Sequence, residues 1–283
     1  MQSDVKQVFY FHSDASSIGG FLEEPFRHIP TPCSVSLSSS GGHTSDSVAD
    51  YGFEDGIKVR SAYTHVRGEH AEKNGPWRHR VVSVVEGLDI FGRFTAEKVI
   101  AQMFIEHPKS GGGPRKISFA GSRFDDARLD GKPIKIILND ALLPEQDREV
   151  DAYNQDTSFN PDLEWPALFG HAKRQSGVRS RTDGPAWAKD RFSWIEEGPE
   201  NGEVSSVGYT LCSLVDKIEG VETGQAFGHC IEVPDFGRLF LAEVTILPHS
   251  AYLSMFRAEL GCAVTGQITA GGAGSNGTTM PPS

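Results

Sequence analysis

Residues 77–107 read WRHRVVSVVEGLDIFGRFTAEKVIAQMFIEH, two apolar runs joined by a tight break at Phe91-Gly92. In the first run, Trp77–Ile90, apolar side chains occupy both alternating faces, which is typical of a central strand covered on each side. In the second run, Phe94–Ile105, the apolar positions do not alternate cleanly. Its β-branched residues and its short, glycine-bounded length nevertheless favour a strand over a helix. The stretch therefore predicts two consecutive strands of a β-meander, the first of them central.

Segments with a similar pattern of apolar and polar residues surround this stretch. Ile57–Gly68 alternates as a half-buried strand does, and the polar run Glu69–Pro76 supplies the turn that follows it. Tyr252–Leu260 fits either a strand or one short helix. Further strands are predicted at residues 7–11, 34–38, 117–119, 134–138, 204–218, 228–233, 238–247 and 262–269. The expected fold class is all-β, a multi-stranded antiparallel sandwich or a barrel-like domain.

The strand pattern is interrupted between residues 144 and 202, where three of the four tryptophans lie. A loop this long is usually functional or disordered, and its aromatic content argues against full disorder. We expect one long, irregular, aromatic-rich excursion that packs over the sheet. The predicted organisation is a β-meander half (1–143), the inserted excursion (144–202), a second β segment completing the same domain (203–269), and a Gly/Ser/Pro-rich tail (270–283) that is solvated or docked on a partner.

Composition excludes some classes of partner. The formal net charge is -11, whereas nucleic-acid binding needs a basic face, so nucleic acid is not an expected partner. No run approaches the roughly 20 apolar residues of a membrane span, so no transmembrane segment is predicted. The first residues lack the pattern of a secretory signal, which makes the cytoplasm the default location.

The four cysteines are far apart in sequence and form no C-x-x-C pair. This spacing is poor for a zinc ribbon or a redox motif. We expect buried free thiols, and a disulfide between Cys212 and Cys230 is the alternative. The alternative requires an oxidising compartment.

Few motifs in the chain carry chemistry. Gly272–Gly277 matches G-x-G-x-x-G, but only six residues follow it, too few for the helix that a dinucleotide fingerprint opens. His12 and Asp14 would share a strand face, yet a turn-capping role is favoured over a catalytic one. The acidic run at 145–164 lacks the spacing of a calcium loop. No catalytic residue, metal site or cofactor is predicted.

The most informative cluster is His171–Arg191, where basic side chains outnumber acidic ones by six to two. Indole faces beside guanidinium groups suit a sugar, a carboxylate or a phosphate. The sequence therefore predicts a surface for an anionic small molecule or a glycan. The alternative is that the tryptophans fix the excursion onto the core while the cations balance nearby acids. The candidate ligand-binding residues are Trp165, His171, Arg174, Arg179, Arg181, Trp187 and Trp194.

The run Val85–Ala96 (VEGLDIFGRFTA), together with Phe119-Ala120-Gly121 and the turn at Val233–Gly237 (VPDFG), resembles a pattern in uncharacterised, β-rich bacterial proteins of the choice-of-anchor type. The resemblance covers about residues 57–138 and 228–270. It implies a structural or surface β protein located at the cell surface or secreted, and it carries over no catalytic residue.

The expected function is therefore that of a non-enzymatic β-rich protein that acts by binding or by self-association as a homo-oligomer. The alternative is an enzyme that acts on a carbohydrate or a small acidic ligand, with residues 144–202 as its lid. A concave site with a histidine and a carboxylate of perturbed pKa would favour the enzyme. Exposed sheet edges would favour self-association.

Overall fold

The computed structural model describes residues 8–70, 75–109, 113–157, 161–179, 185–196, 210–247, 250–262 and 264–280. At residues 165, 166, 176–179, 192–196, 210, 262 and 280 it describes the backbone only.

Strands dominate the described chain. They are β1 (Val8–Glu23), β2 (Phe26–Ile29), β3 (Ser34–Ser36), β4 (Gly42–Phe53), β5 (Ile57–His70), β6 (Trp77–Ile90), β7 (Phe94–His107), β8 (Lys116–Ser118), β9 (Arg123–Asp125), β10 (Arg128–Leu129), β11 (Lys132–Pro133), β12 (Lys135–Leu138), β13 (Leu163–Glu164), β14 (Thr210–Ser213), β15 (Val215–Glu219), β16 (Gln225–Phe227), β17 (Cys230–Val233), β18 (Gly237–Ile246), β19 (Ser250–Cys262) and β20 (Val264–Met280). The helices are α1 (Trp165–Arg179) and α2 (Ala186–Glu196), and Glu145–Glu149 forms a 3-10 turn.

Most strands belong to two antiparallel sheets. Sheet A has the order β16-β17-β18-β19-β20-β1-β2, with β14 paired to β18 and β3 to β1. Sheet B has the order β11-β10-β7-β6-β5-β4, with β8 and β9 paired to β7 and β13 to β8. Strands β12 and β15 form a separate ribbon. Because β1 pairs with β20, the two ends of the described chain meet inside sheet A.

Sheets A and B pack face to face around one core. Ser83 Oγ on β6 donates to the backbone oxygen of Ser16 on β1 at 2.7 Å. Phe94 on β7 stacks on Phe256 on β19 with ring centres 4.6 Å apart. The main cluster of buried apolar residues draws on both sheets. The fold is therefore an antiparallel sandwich, which confirms the predicted all-β class, and in the described chain the sheets do not close into a barrel.

In each sheet, the pairing of the long strands is interrupted at neighbouring positions on adjacent strands. In sheet A, Gly271 and Ala242 adopt left-handed backbone angles and drop out of the pairing with β1 and β19. In sheet B, Asp50 and Gly87 do the same. Local irregularities of this kind bend a strand and increase its twist. Strands of 10 to 17 residues can thereby curve around a common core.

The strands predicted at 57–68, 77–90 and 94–105 are confirmed as β5, β6 and β7. Tyr252–Leu260, for which strand and helix were both open, lies within β19. Strand β4 was not predicted, because as an edge strand it has only exposed and half-buried side chains and its sequence looks like a polar loop. Cys33, Cys212 and Cys230 are buried.

The prediction of a solvated or partner-docked tail at 270–283 has to be corrected. Residues up to Met280 belong to β20, which pairs with β1 on one side and β19 on the other. The glycines there are required by close packing rather than by flexibility. A Cβ on Gly277 would lie 2.2 Å from the Phe9 ring, and one on Gly274 would lie 2.8 Å from the Tyr252 ring. Glycine content was therefore misread as the mark of a solvated end.

The prediction of a turn at His12–Asp14 also has to be corrected, because these residues lie inside β1. His12 is exposed and Asp14 half-buried on the outer face, while Ser13 points into the sandwich. There Ser13 Oγ lies 2.6 Å from His79 Nδ1 and 3.0 Å from Ser275 Oγ. A polar contact between the sheets thus occupies a place where the sequence suggested a strand end.

The excursion at 144–202 is only partly irregular, since it contains α1 and α2. Neither helix has the strong apolar stripe by which an amphipathic helix is recognised in a sequence. Helix α1 is fixed to sheet A by Gln175, whose side-chain amide donates to the Ser213 carbonyl and accepts from the Ser213 N–H, both at 2.8 Å. Within the described residues, no helix is long and apolar enough to span a membrane.

Candidate functional site

A cleft of about 880 Å³ opens at the end of sheet A where β16, β17, β18 and β19 lie side by side. Ligand pockets commonly have volumes of about 300–1,000 Å³, so the cleft is large enough for a small molecule. Its walls are the turn between β17 and β18 and the last residues of β19. The lining residues are Gly224, Gln225, Glu232, Val233, Pro234, Asp235, Phe236, Gly237, Arg238, Glu259, Leu260 and Gly261.

A row of alternating charge crosses the cleft. Strand register places Glu232 on β17 opposite Arg238 on β18, and Arg238 opposite Glu259 on β19. Arg238 Nε lies 3.6 Å from the Glu232 carboxylate. Side chains directly opposite on one sheet face are close enough to interact, and opposite charges there are stabilising. The register therefore presents two carboxylates with a guanidinium between them.

Helix α2 holds this row in position. Arg191 donates two hydrogen bonds to the Glu259 carboxylate, at 2.7 and 3.1 Å. Trp187 Nε1 donates to Glu232 at 3.2 Å, and Arg238 Cζ lies 4.5 Å from the centre of the Trp187 ring. Bidentate arginine–carboxylate pairs and cation–π contacts restrict side-chain rotation. Both carboxylates of the row are thus oriented by the helix above them.

A buried network supports the row from behind. Arg257 donates to the Glu243 carboxylate at 2.6 Å and also to Glu259. His229 Nε2 lies 3.1 Å from Glu243 Oε1. Burial alone raises the pKa of the Glu243 carboxyl, but the hydrogen bond with His229 and the charge of Arg257 outweigh it and bring the pKa to about 2. Glu243 is therefore ionised at neutral pH and holds Arg257 in place.

Glycines shape the floor and the mouth of the cleft. A Cβ on Gly224 would lie 2.2 Å from the Glu232 backbone oxygen, and one on Gly237 would lie 2.1 Å from the Glu259 oxygen. Both residues also have positive φ angles, which L side chains rarely adopt. Gly261 differs, because a Cβ there meets nothing within 4 Å. A side chain at Gly261 would enter open space in the cleft.

The predicted ligand-binding residues are only partly brought together here. Trp187 lies beside the cleft, whereas neither His171, which is buried, nor Arg174, which is exposed, lines it. The side chains of Trp165, Arg179 and Trp194 lie outside the described part of the chain, and so does the whole of Arg181. The contacts of Trp187 and Arg191 match the alternative in which indoles fix the excursion and cations balance nearby acids.

The residues that form the row were not predicted from the sequence. Glu232, Arg238 and Glu259 are each ordinary polar positions in an alternating strand, and no local motif marks them. They become one feature only through the register of three strands. The available signal was the pair of opposite charges, Glu232 and Arg238, on the two predicted strands that flank the VPDFG turn.

The cleft has limited means for catalysis. Among its lining residues within the described chain there is no serine, threonine, cysteine, histidine, lysine or tyrosine, so it offers no nucleophilic hydroxyl, thiol or amine. Among the described lining residues, carboxylates are the groups that could act as acid or base. No cluster of His, Cys, Asp and Glu in the described residues has an arrangement that would hold a metal ion.

Comparison with known proteins identifies a family. A family model with the description "Domain of unknown function (DUF8256)" matches residues 9–247. No curated protein and no solved structure matches the chain.

Proposed function

We propose that this chain, which belongs to the DUF8256 family, is a non-enzymatic binding protein whose ligand occupies the cleft beside α2. The observation that carries the proposal is the preorganised row of Glu232, Arg238 and Glu259. Fixed polar groups in a concave site are what orient a ligand and give specificity. Because the carboxylates are held by α2, ordering them on ligand binding costs little side-chain entropy.

The lining favours a neutral, hydroxyl-rich ligand of the glycan type over an anion. Among the described lining residues, Glu232, Asp235 and Glu259 carry carboxylates and Arg238 carries a guanidinium, while Arg191 and Arg257 offset the charge of Glu259 from outside the lining. Ionised carboxylates accept hydrogen bonds from sugar hydroxyls, and the guanidinium donates to them. An acidic ligand would instead face like charges. Of the two ligand classes expected from the sequence, the glycan therefore suits this cleft better.

The test is a cleft-filling substitution with a matched control. Gly261→Leu adds a side chain to the cleft, and Gly52→Leu adds the same side chain at an exposed strand position on β4 where a Cβ also meets nothing within 4 Å. We expect saturation-transfer NMR with neutral oligosaccharides to detect binding to the wild type. Gly261→Leu should weaken that binding at least about tenfold, which corresponds to about 1.4 kcal/mol, while Gly52→Leu leaves it unchanged.

Three outcomes would overturn the proposal. Equal effects of the two leucine substitutions would place the ligand elsewhere. Binding of acidic but not neutral oligosaccharides would refute the ligand class. Release of new reducing ends that Glu232→Gln abolishes would make the protein a glycoside-cleaving enzyme, the alternative in which carboxylates act as acid and base.

Self-association is the second candidate, and strand β4 favours it. No strand pairs with the outer side of β4 within the described residues, and a long open edge is a template for pairing with a second copy. Asp46 and Asp50 oppose such pairing by charge, and Asp50 interrupts the ladder with a φ of 53°. We rank self-association second for this reason. A mass that increases in light scattering across a concentration series would reverse the ranking.

A further inference from the structure

The outer face of sheet B, opposite to the face that packs on sheet A, carries a second group of convergent polar residues. Strand register places His43 on β4 opposite Arg67 on β5, and Arg67 opposite Arg80 on β6. Like charges directly opposite on a sheet are destabilising unless something compensates them. His65 lies two residues before Arg67 on the same face and is diagonal to both His43 and Arg80.

His65 is a buried residue with unmet hydrogen-bonding capacity. Its side chain is 1% exposed, and neither ring nitrogen has a hydrogen-bond partner among the described residues. Nε of Arg80 is likewise buried without a partner in the described part of the chain. Buried polar atoms are nearly always satisfied, and an exception calls for an explanation such as an ion or a ligand. Three such atoms in neighbouring residues therefore point to a missing group at this place.

There is space for that group. A pocket of about 260 Å³ is lined by His65 and by residues of β4, β5 and the segment 155–156 that crosses above them. Gly42 and Gly68 contribute only backbone to its lining. The full lining is Gly42, His43, His65, Arg67, Gly68, Glu69, Gln155 and Asp156.

The charge of Arg80 is solvated by neutral groups. Its guanidinium donates to the backbone oxygens of Asp151 at 2.9 Å and Ala152 at 3.3 Å, to that of Asn154, and to Gln102 Oε1 at 3.1 Å. Among the described residues, no carboxylate lies within ion-pair distance of Arg80. A buried cation without a counter-ion creates a positive potential around it.

The electrostatics at His65 agree with this potential. Burial lowers the pKa of its imidazole, and the charges of Arg80, His43 and Arg67 lower it further, to about 4.

Two acidic side chains also line the pocket and partly offset the positive potential. Glu69 pairs with Arg67 at 2.7 Å, and the Asp156 carboxylate, which is 97% exposed, lies 3.7 Å from Arg67. The Asp156 pair is screened by solvent and is worth little, so an incoming anion can replace it.

We propose that this pocket binds a small oxyanion such as sulfate or phosphate. The N–H of the His65 imidazole and the guanidinium of Arg67 donate to it, and the nearby charge of Arg80, which does not line the pocket, adds to the positive potential. This site is independent of the glycan cleft, which lies on sheet A. The oxyanion is either a free inorganic ion or the charged group of a larger molecule, and both share the same recognition chemistry.

The test follows the His65 ring by NMR in the full-length wild-type protein, with inorganic sulfate as the probe because its charge is constant from pH 4 to 8. A bound anion favours the protonated imidazole, so sulfate should raise the pKa of His65 from about 4 by about 1–3 units. By linkage, sulfate binding should become tighter as the pH falls through that window. A spectrum of His65→Asn assigns the ring signal.

Glucose 6-phosphate forms a second arm of the experiment. Tighter binding of this sugar phosphate than of inorganic phosphate would identify the larger molecule as the source of the oxyanion.

The matched control uses two arginines of similar exposure on the same face. Arg67 and Arg78 have side chains 34% and 32% exposed, and each pairs with one glutamate. Arg67→Met should abolish the response of His65 to sulfate, whereas Arg78→Met should preserve it. A His65 signal that sulfate and phosphate leave unchanged would overturn the proposal. Saturable broadening of the His43 and His65 signals by zinc ion alone, without a sulfate response, would also overturn it, because the pocket would then be a cation site.

Discussion

His79 shows how a single buried residue can couple stability to pH. It lies between the sheets, with Ser13 Oγ and Ser275 Oγ 2.6 and 3.1 Å from its Nδ1. Burial lowers the pKa of its imidazole to about 3, with smaller contributions from the charges of Arg115 and His12. In the unfolded chain the pKa returns to the ordinary 6.5, so acid protonates the unfolded chain first. The stability is complete above pH 6.5 and is lost as the pH falls towards 3.

We therefore expect the free energy of unfolding to fall by about 2 kcal/mol between pH 7 and pH 5 on account of His79 alone. Urea denaturation at a series of pH values measures it. His79→Gln should reduce the slope of the free energy of unfolding against pH by the equivalent of about one proton taken up on unfolding. His12→Gln, at an exposed position, should not change this slope. An unchanged slope in His79→Gln would show that the buried imidazole is not the source.

At the scale of elements, helix α2 is held on sheet A by polar contacts as well as by the apolar packing of Trp187 and Ala188. Arg191 binds Glu259 and lies with Cζ 4.4 Å from the centre of the Phe240 ring. Replacing it with methionine keeps much of the apolar stem but removes both hydrogen bonds. Hydrogen bonds to charged groups are worth roughly 1.5–3 kcal/mol.

We predict that Arg191→Met accelerates amide hydrogen exchange across Ala186–Glu196 by about tenfold or more, because local opening of the helix becomes easier. Lys189→Met, an exposed position on the same helix, provides the control. Equal exchange rates in the two variants would mean that the Arg191–Glu259 pair does not hold the helix.

At the scale of the whole molecule, β20 joins the two ends of the chain. It pairs along most of its length with β1 and with β19, so it is an interior strand of sheet A. We predict that truncation after Thr269 abolishes cooperative unfolding, because it leaves the ladder groups of both neighbours unpaired and opens the core. Truncation after Met280 should leave the melting transition intact. A stable, cooperative 1–269 fragment would restore the view of residues 270–283 as a dispensable tail.

The sequence by itself determined the fold class and the central strands of sheet B. A run with apolar residues on one alternating face, or on both, is compatible with few structures other than a strand in a packed sheet. The reason is that apolar side chains must be buried while backbone groups stay hydrogen-bonded. Helices α1 and α2 could not be read in this way. Their described core residues, Leu168, Ala172 and Ala188, do not make a long apolar stripe, and their hydrogen bonds to sheet A come from Gln175, Trp187 and Arg191.

Only the tertiary structure decided where the polar residues meet. Glu232, Arg238 and Glu259 become one row, and His43, Arg67 and Arg80 another, through registers between strands that carry no local motif. The glycines of β20 likewise read as a flexible end until packing against Phe9 and Tyr252 shows why no side chain fits there. Hydrophobic periodicity is a local property of the chain, whereas strand register and close packing depend on residues far apart in sequence. For this reason the sequence could specify the sandwich but not the sites on its faces.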